Sequence, residues 1–173
     1  TRLSDEEIAR FAANQFRFPG VEIKARLYRQ YPQGEAFAHV LGHVGRINQK
    51  DIERLEQSDD ESNYRGTDYI GKLGLERNYE RVLHGVAGVE EVEVDSVGRA
   101  IRTVSRTPPT SGANLALNLD AKLQALVYRS FGERRGALVA IEPSTGGVLA
   151  FVSNPGFDPN LFVDGIDPQS WNE

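Results

Sequence analysis

Two uninterrupted apolar runs, Ala137 to Ile141 and Val148 to Val152, bracket Pro143-Ser144-Thr145-Gly146-Gly147, a segment whose residues all favour a turn. A strand apolar at every position needs cover on both faces, so a hairpin of this kind belongs inside a larger sheet. Only the loop-like stretch Asn154 to Glu173 follows it. The expectation is a sheet begun and not finished, its further strands lying beyond this chain. The other end suggests the same, because the chain starts at Thr1 and contains no methionine, as a processed or excised piece would.

Charge and composition narrow the function. Against 25 acidic side chains stand 20 basic ones, a net charge of −5, which argues against nucleic acid or an anionic lipid surface as the main partner. Hydrophobic residues make up 39% of 173, and a chain of this length buries about two-thirds of its unfolded surface, enough for a core. Cysteine is absent, which excludes disulfides, thiolate metal sites and cysteine nucleophiles and leaves the redox compartment open. The longest apolar runs fall far short of the ~20 residues that span a bilayer, and no signal-peptide pattern occurs. Any membrane anchor is expected outside this segment.

Helical and strand signals alternate along the chain, which predicts an α+β fold of short helices and antiparallel hairpins. Ser4 with Asp5, Glu6 and Glu7 reads as a capping box opening a helix to about Phe16, with Ile8, Phe11 and Ala12 on one face. Val21, Ile23, Ala25 and Leu27 alternate with Glu22, Lys24, Arg26 and Tyr28 as in a half-buried strand, closed by Pro32 and Gly34. Residues 35–46 fit a short helix followed by a strand, and periodicity does not decide it. Asn48 caps a helix carrying Ile52 and Leu55, and the polar stretch Gln57 to Asp68 reads as an exposed loop. A helix is predicted from Tyr69 to His84, with Ile70, Leu73, Tyr79, Val82 and Leu83 on its apolar side and Gly85 as a left-handed cap. Gly71 and Gly74 within it imply close packing.

Val89 to Val94 and Ala100 to Val104 flank the turn Asp95-Ser96-Val97-Gly98 as a hairpin. Thr107 to Gly112, with Pro108-Pro109, is the predicted linker and domain boundary. Leu115 to Leu119 alternates as a strand, and Asp120 caps a helix whose face carries Leu123, Leu126 and Val127.

Several segments together resemble the penicillin-binding protein 2 family, class B D,D-transpeptidases that cross-link peptidoglycan during cell elongation in Gram-negative bacteria. They are Arg17-Phe18-Pro19-Gly20-Val21-Glu22; Tyr69-Ile70-Gly71-Lys72-Leu73-Gly74-Leu75-Glu76 with Tyr79-Glu80 and Leu83-His84-Gly85; and Val92-Glu93-Val94-Asp95 with Gly98-Arg99. Leu119-Asp120 with Leu123-Gln124, and Thr145-Gly146-Gly147-Val148-Leu149-Ala150 through Phe157-Asp158-Pro159-Asn160, complete the set. The division-specific transpeptidase shares the glycine-rich pattern more loosely, and Asn160-Leu161-Phe162-Val163-Asp164-Gly165-Ile166 favours the elongation enzyme.

The resemblance implies a layout. The family has a cytoplasmic tail, one transmembrane helix, an elongated non-catalytic pedestal with a head region, and a transpeptidase domain on the periplasmic side of the inner membrane. Residues 1–118 then correspond to pedestal and the end of the head, and 119–173 to the opening helix and hairpin of the transpeptidase domain. The partners implied are the membrane glycan polymerase of the rod complex and a periplasmic scaffold protein. Peptidoglycan stem peptides and β-lactams would be met only through the missing catalytic part, and no cofactor is implied.

Chemistry in this family needs Ser-x-x-Lys, followed by Ser-x-Asn and Lys-Thr-Gly. The four lysines are Lys24, Lys50, Lys72 and Lys122, and three residues before them stand Val21, Ile47, Tyr69 and Leu119. None begins Lys-Thr-Gly. Ser170-Trp171-Asn172 matches Ser-x-Asn, but nothing precedes it that could be the nucleophile, so it reads as a chance match. No Gly-x-Ser-x-Gly elbow supports a hydrolase triad. The segment is expected to be a non-catalytic spacer and interaction platform; the rival readings are a free-standing periplasmic adaptor of the same ancestry and the equivalent part of the division enzyme. Unfinished strands argue against the adaptor, because exposed apolar edges invite aggregation.

Other candidates have plainer readings. His39 and His43 stand four apart, as zinc ligands on a helix do, but a third ligand is missing and packed histidines explain them better. Glu91, Glu93 and Asp95 fit a solvated strand face better than a calcium site, and Asp158, Asp164 and Asp167 lack a ligand loop in the same way. Phe16, Phe18, Tyr28, Tyr31 and Phe37 are aromatic enough to anchor a partner, although core packing also accounts for them.

Overall fold

Ser4 opens the first helix as its residue types dictate. In the structure, a computed structural model describing residues 3–23, 27–58, 60–163 and 165–166, helix α1 spans Asp5–Asn14. The Ser4 side chain accepts from Glu7 N–H while the Glu7 carboxylate accepts from Ser4 N–H, a closed capping box. A single 3-10 turn, Gln15–Arg17, follows. The predicted strand after it does not form: Val21–Ile23 and Leu27–Gln30 run as irregular chain with no ladder beside them, and Lys24, Ala25 and Arg26 lie outside the described residues.

The core of the N-terminal part is small. Helix α2 (Ala38–Leu41) leads into strand β1 (Val44–Arg46), then α3 (Gln49–Gln57), whose Asn48 closes a second capping box with Asp51. Strand β2 (Tyr69–Gly71) pairs antiparallel with β1, Gly45 opposite Ile70. Leu55, Tyr64 and Ile70 are buried together, with Ile47 against them. This corrects two expectations. The stretch 57–68 is not simply an exposed loop, because a 3-10 turn at Glu61–Tyr64 drives the Tyr64 ring into the core. Tyr69 does not open a long helix either; its segment is claimed by β1, and helix begins only at α4 (Gly74–Asn78) and α5 (Glu80–His84). Broken in this way, the segment leaves Leu73, Tyr79 and Val82 exposed. Gly85 ends α5 at φ 75° and ψ −153°, a positive φ but not the left-handed helical cap expected.

Strands β3 (Val89–Val94) and β4 (Ala100–Thr107) form the predicted hairpin, exposed throughout and kinked by two register shifts. The 107–112 stretch is no loose tether. Val86 and Thr110 exchange N–H···O bonds of 2.9 Å, Ala113 N donates to Val82 O at 2.8 Å, and a Cβ on Gly112 would collide with the Leu83 carbonyl. The expected strand at 115–119 is irregular chain, tied to the hairpin beyond by Asp120 N donating to Leu149 O.

Asp120 Oδ1 accepts from Lys122 and Leu123 N–H and opens α6 (Ala121–Phe131). Strands β5 (Gly136–Ile141) and β6 (Val148–Asn154) form the hairpin anticipated from the apolar runs, and α6 packs on β6. The buried face of α6 is the predicted one in part: Leu123 and Val127 are half-buried, but Leu126 is exposed and the fully buried residue is Gln124. Leu138, Val139 and Ile141 of β5 and Phe151 of β6 are exposed. Beyond β6 the chain is not all loop, since α7 (Asn160–Val163) packs back against β1. The fold is α+β, short helices with three separate antiparallel strand pairs among the described residues.

Candidate functional site

Three side-chain amides join parts of the chain that are distant in sequence. Gln124 donates to Ala36 O and Phe151 O, both at 2.7 Å, and accepts from Phe151 N–H at 2.8 Å. Asn160 accepts from Tyr31 N–H at 2.9 Å and donates to Tyr31 O at 3.1 Å. Asn63 donates to Gly85 O at 2.9 Å and accepts from Ala87 N–H at 2.7 Å. Each amide thus answers a backbone N–H and C=O that would otherwise need a strand. The first two clamp the N-terminal core onto the α6–β6 unit.

Tyr31 is the centre of this junction. Its ring is buried and its hydroxyl accepts from Val44 N–H at 2.8 Å. Burial and the nearby Glu76 carboxylate hold the phenol above its usual range. Glu76, itself buried, receives Arg29 at 2.5 Å; burial alone would ease the proton off Arg29, and the Glu76 carboxylate more than reverses that. Tyr128 donates to Glu35 at 2.6 Å across the same seam, where burial and that carboxylate push it up to about 12.

Beside the seam, Lys72 pairs with Asp51, the residue that also closes the α3 capping box. Burial opposes ionisation of Asp51, but Lys72, the Asn48 N–H and Arg54 outweigh it and keep the carboxyl below its usual range. Gly71 and Gly74 let backbones meet. A Cβ on Gly71 would strike the Glu76 carbonyl, and Glu80 fills the remaining space, accepting from Gly71 N–H at 2.7 Å and Tyr64 O–H at 2.9 Å.

The other motif residues occupy turns and caps. Asp95 Oδ1 accepts from Val97 and Arg99 N–H, and Gly98 turns at φ 81°. Gly146 turns at φ 73°, and Asp158 accepts from Asn160 N–H and Nδ2. Tyr79 sits exposed at the break between α4 and α5.

The aromatic group splits. Tyr31 and Phe37 are core residues, whereas Phe16 is 84% exposed, Phe18 48% and Tyr28 39%. Phe18 stacks on Phe11 at 5.9 Å and Tyr28 meets Tyr69 edge-on at 6.2 Å. Leu27, Val21 and Ile23 are exposed beside them, and the apolar side of α1 faces α3 across a groove of about 1640 Å³.

Neither histidine nor the acidic positions converge on a metal-like cluster among the described residues. His39 Nε2 lies 3.0 Å from Pro155 O, and His43 is packed among aromatic rings. Glu91 accepts from Ser105, and Glu93 pairs with Arg102. Asp164, Asp167 and the Ser170-Trp171-Asn172 match lie outside the described residues. Sequence reasoning missed Asn63, for which no local pattern gives a signal. Gln124 had one, an uncharged polar residue one turn after a cap on a helix with few core-facing positions.

A pedestal of short helices and hairpins locked to a helix-covered hairpin is the architecture of a known class. The chain belongs to the penicillin-binding protein dimerisation domain family, whose description matches residues 1–117. It is 51% identical over 172 residues to the peptidoglycan D,D-transpeptidase MrdA of Escherichia coli K12, an alignment covering 99% of this chain but 27% of that protein. A Pseudomonas aeruginosa PBP2 crystal structure in complex with WCK 5153 matches with TM-score 0.69 and 43% identity, over 87% of this chain and 29% of that one. PBP2 of Helicobacter pylori in complex with MreC matches with TM-score 0.83 and 26% identity, over 99% and 31%. The resemblance drawn from the sequence motifs holds, and the chain spans about a quarter of the length of the transpeptidase MrdA.

Proposed function

We propose that this chain is the pedestal and the opening of the catalytic unit of an elongation-specific peptidoglycan D,D-transpeptidase, and that it acts as spacer and docking platform rather than as catalyst. Residues 1–118 form the pedestal and 119–173 begin the transpeptidase domain, on the periplasmic side of a membrane-anchored parent. The nucleophile would come from outside this segment, since no lysine here follows a serine by three. Incubation with a β-lactam is accordingly expected to leave the intact mass unchanged; a covalent adduct would overturn the non-catalytic reading.

The observation that carries the platform role is the exposed apolar strip Val21, Ile23 and Leu27, which lines the α1–α3 groove. Exposed apolar clusters of this kind mark partner surfaces. The likeness to a PBP2 solved with MreC favours a scaffold of that type as occupant, with the rod-complex glycan polymerase meeting the parent near the membrane. Calorimetry with the MreC homologue of the same organism tests it. Saturable binding is expected, weakened about thirtyfold by Leu27→Ser, the ~2 kcal/mol typical of a truncated hot spot, with thermal stability unchanged. Absence of binding, or binding indifferent to Leu27→Ser, would remove the strip from the interface.

A further inference from the structure

His43 is the one buried side chain among the described residues whose polar atom, Nδ1, has no hydrogen-bond partner. The residue is only 8% exposed. Its ring lies 4.3 Å from the Phe162 ring, tilted by 31°, and 6.0 Å from the Phe157 ring, edge-on. Phe157 meets Phe162 at 5.4 Å and His39 at 5.3 Å. All these rings belong to one contact, in which the 155–163 segment following β6 folds back onto α2 and β1. Pro155 O to His39 and the Asn160 amide to Tyr31 add uncharged ties to the same contact.

We propose that this contact is an acid-sensitive latch, with His43 as the sensor and release of the 155–163 segment as the response. A neutral imidazole tolerates an unanswered Nδ1 in an aromatic pocket, whereas an imidazolium would bury an N–H donor and a charge with no acceptor. The ionisable neighbours do not relieve it. Lys72, at the end of β2, adds a like charge; its partner Asp51 on α3 is already engaged by that ammonium and by Asn48 N–H. His39 on α2 is turned to Pro155 O, and Asp158 in the segment itself is held by Asn160. Burial first, and Lys72 second, hold His43 below its ordinary 6.5.

The direction of the effect follows. Once the segment lets go, His43 regains water and its ordinary affinity, so the released state binds more protons below about pH 6.5. Docking is at full strength above that pH and weakens as pH falls below it. The consequence is mechanical, because the segment is one of the ties between the N-terminal core and the α6–β6 unit, and acid would loosen that joint without unfolding either side.

Amide hydrogen exchange on the chain, corrected for the intrinsic pH dependence of exchange, reads the latch directly. Protection of 155–163 is expected to fall between pH 7.5 and 5.5, by at most about tenfold, the ceiling that linkage to one imidazole of ordinary affinity sets. His43→Phe, which keeps an aromatic ring in the pocket and cannot ionise, is expected to abolish the fall; His39→Gln is expected to retain it. Equal protection at both pH values, the same fall in His43→Phe, or its loss in His39→Gln would overturn the proposal. If His43→Phe does not fold, the ring resonances of His43 in the unsubstituted chain decide, a midpoint below 6.5 supporting the latch and one at or above it refuting it.

Discussion

Gly74→Ala is expected to destabilise the chain by about 3 kcal/mol or more, of which roughly 1–2 kcal/mol is backbone strain and the rest a steric collision. Gly74 sits at φ 59°, and a Cβ there would lie 2.5 Å from Gly42 N and 2.6 Å from Val40 O. Those atoms lie at the end of α2, where Gly42 is at φ 71° and a Cβ would likewise strike the Leu73 carbonyl, so the two backbones are packed too closely for either to yield without moving the other. For a chain of this size such a loss corresponds to a drop in melting temperature of roughly 6–12 °C. Gly66→Ala separates the two causes: Gly66 is at φ 83° with nothing within 4 Å of a Cβ, so it carries strain without collision. Its loss should be about half as large; equal losses at the two positions would show that the close approach of α2 and α4 contributes nothing.

Features closed within a few residues were legible in the sequence. Ser4 and Asn48 cap as their residue types require, Asp95 to Gly98 turns, Asp120 opens α6, and the two apolar runs pair across Thr145 and Gly146, because each of these is satisfied by its own neighbours. Failures came where a distant segment decides. Val21 to Leu27 alternates like a strand, yet its described residues, 21–23 and Leu27, are irregular chain, whereas Tyr69 to Gly71 carries a helical pattern and is captured by Val44 to Arg46, more than twenty positions earlier. Gly71 and Gly74 are the close-packing positions that their residue type implies, but in a strand end and a broken helix rather than in one long helix, since a glycine reveals that something approaches but not what.

The candidate site was legible in composition and hidden in geometry. Phe16, Phe18, Tyr28, Tyr31 and Phe37 look alike in a sequence, and what separates surface from core is Asn160, which fixes the Tyr31 backbone from 129 positions away. Tyr31 and Phe37 are therefore core residues, while Leu27, an ordinary aliphatic in an alternating pattern, stands in solvent.

Gln124→Leu, nearly unchanged in volume, is expected to cost about 3 kcal/mol, because it takes the side-chain partner from three part-buried backbone groups at roughly 1–3 kcal/mol each, partly offset by the apolar replacement. The Gln124 amide occupies the edge of β6 that β5 does not, taking both the N–H and the C=O of Phe151 as a neighbouring strand would, and spends its second donor on Ala36 O just ahead of α2. One side chain thus closes the sheet edge and fastens the pedestal to it. The substitution should therefore do more than lower the melting temperature: amides at 34–41 and at 148–154 should lose exchange protection together, although they are more than a hundred positions apart. Loss confined to 148–154 would mean that Gln124 serves only the sheet edge, and that the other ties, among them Asn160, the Tyr128–Glu35 bond and the histidine-lined contact, hold the two parts together. A total cost below about 1 kcal/mol would show that water answers these groups as well as the amide does.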